Sequence, residues 1–268
     1  MRRGALIKRA LFGAALVLLL VSLANLGLLD AARLEKGARN ISLFLRDLFP
    51  PDLSVLPTVA WALVETVQMA FAGTMLGFAF ALPLSLAATR VLLRPPVSTT
   101  FRLLLAFIRT VPSLLWAIVF VVAVGLGPGA GTLGIALYTT GYLGKVFYEA
   151  FEGVDHEILE AVRGVGCSRL QLARYAVLPE SANLVLAQLL FLFEYNVRAS
   201  AIMGFVGAGG IGFYLLGYIQ ALQYDRMLTA LLLTLLVVIF IDWSSGRIRA
   251  LVLSVPISNR KAKAERAT

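Results

Sequence analysis

EAVRGVGCSRLQLARYAVLPE, residues 160–180, is a polar interruption in a chain that is otherwise mostly apolar. Its two halves read as helices, split by Gly164 and Gly166 and stopped by Pro179. Ser168 opens the second half with Gln171 three residues on, a capping box that satisfies the orphan N–H groups of a new helix. Leu170, Ala173 and Val177 recur at i, i+3 and i+7, so the spacing predicts one apolar face, with Arg169 and Arg174 off it in water. Leu159, Val162 and Val165 give the preceding helix its own stripe. Two short glycine-linked helices have nothing in lipid to pack on. Either they cover the end of their own bundle, or the second sits in a groove of another protein.

The surrounding composition decides which solvent the chain folds in. Of 268 residues, 59% are apolar and 15% charged, and the mean hydropathy is +0.86. That is more apolar surface than a soluble domain of this length hides, so the partner is a lipid bilayer. The net charge of +9 does not mark a nucleic-acid partner, because the basic residues cluster at the ends of apolar segments. One cysteine, Cys167, and one histidine, His156, exclude a disulfide framework and leave too few soft ligands for zinc.

A membrane span takes about 20 apolar residues. Six segments qualify: 10–29, 58–88, 103–126, 132–151, 182–205 and 227–243. The first is read as a retained anchor, since it exceeds the apolar run of a cleaved signal. Lys and Arg are retained on the cytoplasmic side. With the amino end inside, the inner segments hold Arg2, Arg3, Lys8 and Arg9; Arg90, Arg94 and Arg102; Arg163, Arg169 and Arg174; and Arg247, Arg249, Arg260, Lys261, Lys263 and Arg266. Both termini and the 160–180 stretch then face the cytoplasm. Residues 30–57, 125–131 and 206–226 become outer connections. The organisation expected is an anchor and outer loop over 1–57, a helical bundle over 58–247 and a basic tail over 248–268.

The stretch also resembles the cytoplasmic EAA motif of ABC importer permeases. Glu160, Ala161, Gly166, Leu178 and Pro179 match it in type and spacing, with Val162 and Ala176 as small apolar departures. Segments 108–120, 141–155 and 193–212 are similar to the phosphonate branch of that family. The resemblance implies an all-α, type I importer fold in a bacterial cytoplasmic (inner) membrane, with a coupling segment over 155–180. It implies docking of Glu160, Ala161, Gly166, Ser168, Arg169, Leu170, Leu178 and Pro179 on an ATPase subunit. It further implies a second copy of the permease, an ATPase dimer that holds ATP and Mg, and an extracytoplasmic binding protein. The substrate class would be phosphonate or a related phosphorus oxyanion, with methionine as the other candidate.

Absences fit that division of labour. No G-x-x-x-x-G-K-[ST] occurs, so the chain is not itself the motor, and no cofactor is expected on it. Gly207, Gly209 and Gly212 match G-x-G-x-x-G, yet they follow an apolar membrane segment and not a strand, which excludes a dinucleotide loop. The segment around Gly207, Gly209 and Gly210 is instead either a turn with close helix packing or, by the resemblance, near the outer gate.

Charge inside a bilayer needs a partner, water or a function. Glu194 and Arg198 stand four apart on the fifth span, with Asn196 between them. Either they neutralise each other, or Arg198 lines the pathway and Glu194 positions it. Arg109 snorkels to headgroups or supports the inner mouth. Lys145, Glu65 and Gln68 are further buried polar candidates, and Pro83 and Pro112 are expected to kink their spans. An ion-coupled secondary transporter would carry inverted repeats, and none is visible.

Overall fold

The computed structural model describes residues 2–253, and these form helices joined by short turns. Two compact units divide the chain, Met1–Pro51 and Asp52–Thr268. Arg260, Lys261, Lys263 and Arg266 of the expected basic tail lie outside the described residues.

The first unit holds α1 (Arg2–Asn25) and α2 (Ala31–Asp47). The stretch read as an open outer loop therefore contains a helix. Its start is fixed by Asp30, whose carboxylate accepts from the N–H groups of Ala32 and Arg33 at 3.0 and 3.2 Å. Leu34, Ile41 and Leu45 follow a helical period along α2 and are exposed.

The second unit begins at Asp52, earlier than the expected boundary after residue 57, because Asp52 is tied to the far end of the chain. It accepts from Ser54 N–H at 2.9 Å and from Arg226 Nε at 3.0 Å, and its carbonyl accepts from the Thr229 hydroxyl at 2.9 Å. The Ser54 hydrogen bonds, followed by Arg226, hold the Asp52 carboxyl below its ordinary range.

From there α3 (Leu56–Ala88) runs 33 residues and continues through Pro83. It lies closest to α6 (Pro128–Glu152), the helix that α4 and α5 also pack against. Glycine sets this approach: a Cβ on Gly77 would stand 2.4 Å from Thr139 Cβ and 2.8 Å from the Ala136 carbonyl. Small residues let helix backbones meet where apolar burial gives no drive, as in lipid.

The third expected span is broken. α4 (Pro95–Thr110) and α5 (Ser113–Val124) meet at 86°. The reason is local. A residue before proline is pushed out of the helical region, and Val111 is extended at φ −83°, ψ 122°, with Pro112 at φ −55°, ψ 144°. Trp116 Nε1 donates to the Ile108 carbonyl at 3.0 Å across the bend, satisfying an acceptor that the helix end sets free.

The remaining elements are α7 (His156–Gly164), α8 (Arg169–Leu172), a wide π-helical turn over Ala173–Val177, α9 (Leu178–Met203), α10 (Ile211–Gln220) and α11 (Tyr224–Leu253). α10 occupies the expected 206–226 outer connection. Among the described residues three continuous stretches are long and apolar enough to cross a bilayer, Leu53–Ala88, Arg169–Val206 and Tyr224–Leu251, and the bent α4–α5 pair adds a fourth if counted as one. The expected fourth span lies within α6, whose later turns carry a Lys145–Glu149 ion pair at 3.2 Å.

Candidate coupling and translocation sites

The 160–180 stretch forms an elbow. Asp155 caps α7 by accepting from Glu157 N–H at 3.0 Å, and His156 Nδ1 lies 3.5 Å from Glu160. Gly166 turns the chain at φ +77°, a conformation glycine adopts without steric cost. The capping box closes as expected: Gln171 N–H donates to Ser168 Oγ at 3.3 Å and Ser168 N–H to Gln171 Oε1 at 2.7 Å.

The apolar faces differ from the sequence reading. Leu159, Leu172, Ala173, Ala176 and Val177 are buried against Leu143, Phe147 and Phe151 of α6. Leu170 does not join them and is 78% exposed, and Val165 is 83% exposed. The buried residues Leu172, Ala173, Ala176 and Val177 keep ordinary i, i+1, i+4, i+5 helical spacing, but the stripe is centred on the side of Ala173 away from Leu170, so Leu172 takes the inner position. Val165 misses its stripe because α7 ends at Gly164. One face of the elbow covers its own bundle, while the other leaves Val165, Leu170 and Tyr175 exposed.

Past the elbow, Ala161, Arg169, Glu180 and Pro179 are exposed, and Leu178 is half-buried where α9 begins. α9 then runs unbroken to Met203 and carries the fifth-span polar residues. Glu194 and Arg198 do not pair with each other. Arg198 Nη1 donates to both oxygens of Asp242, at 2.9 and 3.1 Å, and Glu194 accepts from Arg249 Nη2. Both partners lie on α11, antiparallel to α9. A side chain four residues along α9 meets one seven residues back along α11, so each charge finds a nearer opposite than its neighbour on its own helix.

Arg198 also lines a cavity of about 390 Å³ with Ser113, Leu114, Tyr195, Ala199, Ile202 and Met203, beside the α4–α5 bend. Tyr195 stacks on Tyr138 with ring centroids 6.0 Å apart. Arg109 stands at the same bend, exposed, where α4 passes Gly141 so closely that a Cβ there would meet Arg109 N at 2.7 Å. Asn196 is placed elsewhere. It is fully buried and donates to Thr74 Oγ1 and Thr139 Oγ1, both at 2.9 Å, knitting α3, α6 and α9 together instead of lining a cavity.

The glycine-rich segment after α9 folds back on α3. Glu65 accepts from Gly210 N–H at 3.2 Å, and Thr66 Oγ1 accepts from Ile211 N–H at 2.8 Å. Gly127 N–H donates to the Gly207 carbonyl at 2.9 Å. Gly207, Gly209 and Gly210 all take positive φ, and a Cβ on Gly209 would stand 2.7 Å from Glu65 Oε1 and 3.0 Å from Pro128 N. Glu65, singled out only as a buried polar residue, is thus the acceptor that holds this loop. Gly212 instead serves close packing, where a Cβ would meet the Ala201 carbonyl at 2.1 Å.

A set of long apolar helices broken once by proline, with a polar elbow at one end and a pinned glycine loop following the helix the elbow starts, defines a membrane permease. Residues 73–252 match the family described as the binding-protein-dependent transport system inner membrane component, and the chain belongs to that family. It is similar to the phosphite transport system permease protein PtxC of Stutzerimonas stutzeri, 39% identical over 224 residues that make up 83% of this chain and 82% of that one. The phosphate-import permease protein PhnE of Mycolicibacterium smegmatis is 36% identical over 83% of this chain and 42% of its own length. Among solved structures, the MetNI methionine ABC transporter in an inward-facing conformation overlays with a TM-score of 0.65 at 24% identity, covering 75% of this chain and 99% of that one. The fold is that of the type I ABC importer permeases.

Proposed function

We propose that the chain forms the translocation path for phosphonate, phosphite or a related phosphorus oxyanion, driven by an ATPase that docks on the elbow. Two copies of the permease would face each other in a bacterial inner membrane with both termini in the cytoplasm. Two ATPase subunits, which hold ATP and Mg, would engage the elbows, and an extracytoplasmic binding protein would deliver the anion. The chain performs no bond chemistry.

The observation that carries this reading is the two-faced elbow. Its inner face lies in one apolar cluster with Leu143, Phe147 and Phe151 of α6, while Val165, Leu170 and Tyr175 are exposed within the Glu160–Pro179 motif. Closure of the ATPases moves the elbows, and α9 transmits the movement. From Pro179 to Arg198 this helix reaches about 29 Å at 1.5 Å per residue, so a push at the elbow arrives at the cavity Arg198 lines and at the loop that follows Met203. Arg198 supplies a cation for the oxyanion. The names of the relatives support the phosphorus-oxyanion class.

Reconstitution with a candidate ATPase and a candidate binding protein, followed by uptake of phosphite, phosphonate and methionine with and without ATP, tests it. ATP-dependent uptake of a phosphorus oxyanion is expected. Methionine uptake in its place would redirect the substrate, and full uptake by the chain alone would replace the mechanism by a secondary transporter.

A further inference from the structure

A second cationic cavity lies at the elbow end of the bundle, apart from Arg198. It encloses about 380 Å³ between the turn joining α3 to α4 and the elbow. Arg90 and Arg94 line it from the turn, and Arg163 and Arg169 from the elbow, together with Cys167 and Ser168. No carboxylate is among its lining residues. Glu152, which accepts from the Arg90 backbone N–H at 2.7 Å, is engaged by Arg102. Arg163 Nη2 donates to the Val91 carbonyl at 3.0 Å and so already links the two walls. Among the described residues the guanidinium groups of Arg90, Arg94 and Arg169 have no acidic partner.

Four arginines lining one concavity raise its positive potential, and a bound anion offsets their mutual repulsion. Guanidinium forks bind phosphate oxygens bidentately, and the double negative charge of a phosphate suits a site lined by several arginines. The cavity also lies just past Ala88, where the long apolar helix α3 ends.

We propose that this cavity is a binding site for a phosphate group, and that the bound phosphate fastens the elbow to the α3–α4 turn. Arg90 and Arg94 grip it from one wall and Arg163 and Arg169 from the other, so occupancy adds bridges to the Arg163–Val91 bond. The phosphate comes either from an anionic phospholipid headgroup or from free inorganic phosphate.

Cys167, the single cysteine of the chain, lines the cavity and reports on it. The test uses the complete transporter with its ATPase and binding protein, in vesicles of phosphatidylcholine at constant ionic strength. Maleimide labelling of Cys167 is timed after adding phosphatidylglycerol in one arm and inorganic phosphate in the other. Hydrogen exchange over residues 89–95 is followed in parallel. At ten times its dissociation constant a ligand leaves about one site in eleven free, so labelling is expected to slow about tenfold. Slowing by phosphatidylglycerol alone identifies a headgroup, and slowing by inorganic phosphate identifies the free anion. The double variant Arg90→Gln, Arg94→Gln is expected to lose the protection, whereas Lys8→Gln, Arg9→Gln, which removes the same charge elsewhere, is expected to keep it. The proposal is overturned if neither anion slows labelling, if the Arg90, Arg94 variant stays protected, or if the ATPase alone protects Cys167 whatever anion is present.

Discussion

Arg198 holds Asp242 through a single guanidinium nitrogen, Nη1, which donates to both carboxylate oxygens at 2.9 and 3.1 Å. Nε and Nη2 keep their donors for another acceptor, on the side chain that lines the cavity at the α4–α5 bend. Asp242 thereby orients a cation without using it up. If that cation meets the transported anion, Arg198→Ala removes a charge-assisted contact worth about 1.5–3 kcal/mol, roughly a ten- to hundredfold loss of uptake. ATPase assembly is expected to persist. The decisive comparison is Arg198→Ala with Asp242→Ala added. A purely structural pair would regain uptake once both charges are gone, whereas a pathway arginine would not.

Gly209 tests the pinned loop. Its φ of +79° and the 2.7 Å approach to Glu65 Oε1 leave no room for a methyl group. Gly209→Ala is expected to lower stability by about 1–3 kcal/mol, the scale of a strained backbone position. Gly217, in α10, has nothing within 4 Å of its would-be Cβ and no positive φ. Gly217→Ala is therefore expected to leave the thermal midpoint in detergent unchanged or slightly raised. Equal midpoints for the two variants would remove the loop's structural constraint.

Much of this arrangement was legible before the fold was known, and the parts that were not have physical causes. The capping box, the turn and the bend follow from short-range signals, Ser168 with Gln171, Gly166 and Pro112, whereas Pro179, expected to stop the helix, sits in the first turn of α9 and the helical stretch runs on from Arg169 to Val206. Spacing alone leaves open which edge of an apolar stripe faces the core: Leu170 reads as inward from its i,i+3 relation to Ala173, whereas Leu172 is the residue that packs. The Glu194–Arg198 spacing was read as a pair because i,i+4 is visible along one helix, whereas Asp242 and Arg249 become neighbours only when α11 packs on α9. Glu65 and Thr66 carried no sequence signal for holding the glycine loop, since the donors they accept from lie 145 residues away.

Asp52 gives the bundle a pH dependence. Its carboxyl is held below the ordinary value of 3.8 by Ser54 and Arg226. A carboxylate depressed in the folded state contributes stability above the unfolded value, and that contribution disappears as the pH falls through the folded one. The wild-type midpoint is expected to drop on acidification below about pH 4, the ordinary carboxylate range. Asp52→Asn should be less stable at neutral pH and show a shallower acid limb. Parallel acid limbs would mean that the Asp52–Arg226 contact does not contribute.

The outward face of the elbow separates docking from folding. Leu170 is 78% exposed and contributes little to its own core. Leu170→Asp is therefore expected to leave insertion and thermal stability intact, while placing a charge in any apolar contact made there. Gly166→Trp and Arg169→Glu perturb the elbow beside it by bulk and by charge reversal. All three are expected to uncouple ATP hydrolysis from uptake in the reconstituted transporter. Unchanged coupling in all three would rule out a docking role for this face.

The contact between α3 and α6 sets how closely the core of the bundle can close. At Gly77 the two helices approach until a Cβ would lie 2.4 Å from Thr139 Cβ and 2.8 Å from the Ala136 carbonyl. The second of these is backbone and cannot rotate away. The nearby Thr140 hydroxyl donates to the Ala136 carbonyl at 2.8 Å and reaches the Gly77 carbonyl at 3.4 Å, so forcing the helices apart also strains that bridge. Asn196, donating to Thr74 and Thr139 one turn away, would be pulled from both acceptors by the same displacement. Gly77→Val therefore acts on three linked features, and the cost is expected to reach the upper part of the range for overpacking, about 3 kcal/mol. Gly164, at the end of α7 with nothing within 4 Å of its Cβ position, is the matched control. Gly164→Ala should preserve the folded yield in detergent while Gly77→Val sharply lowers it; similar yields would show that α3 and α6 do not need this approach.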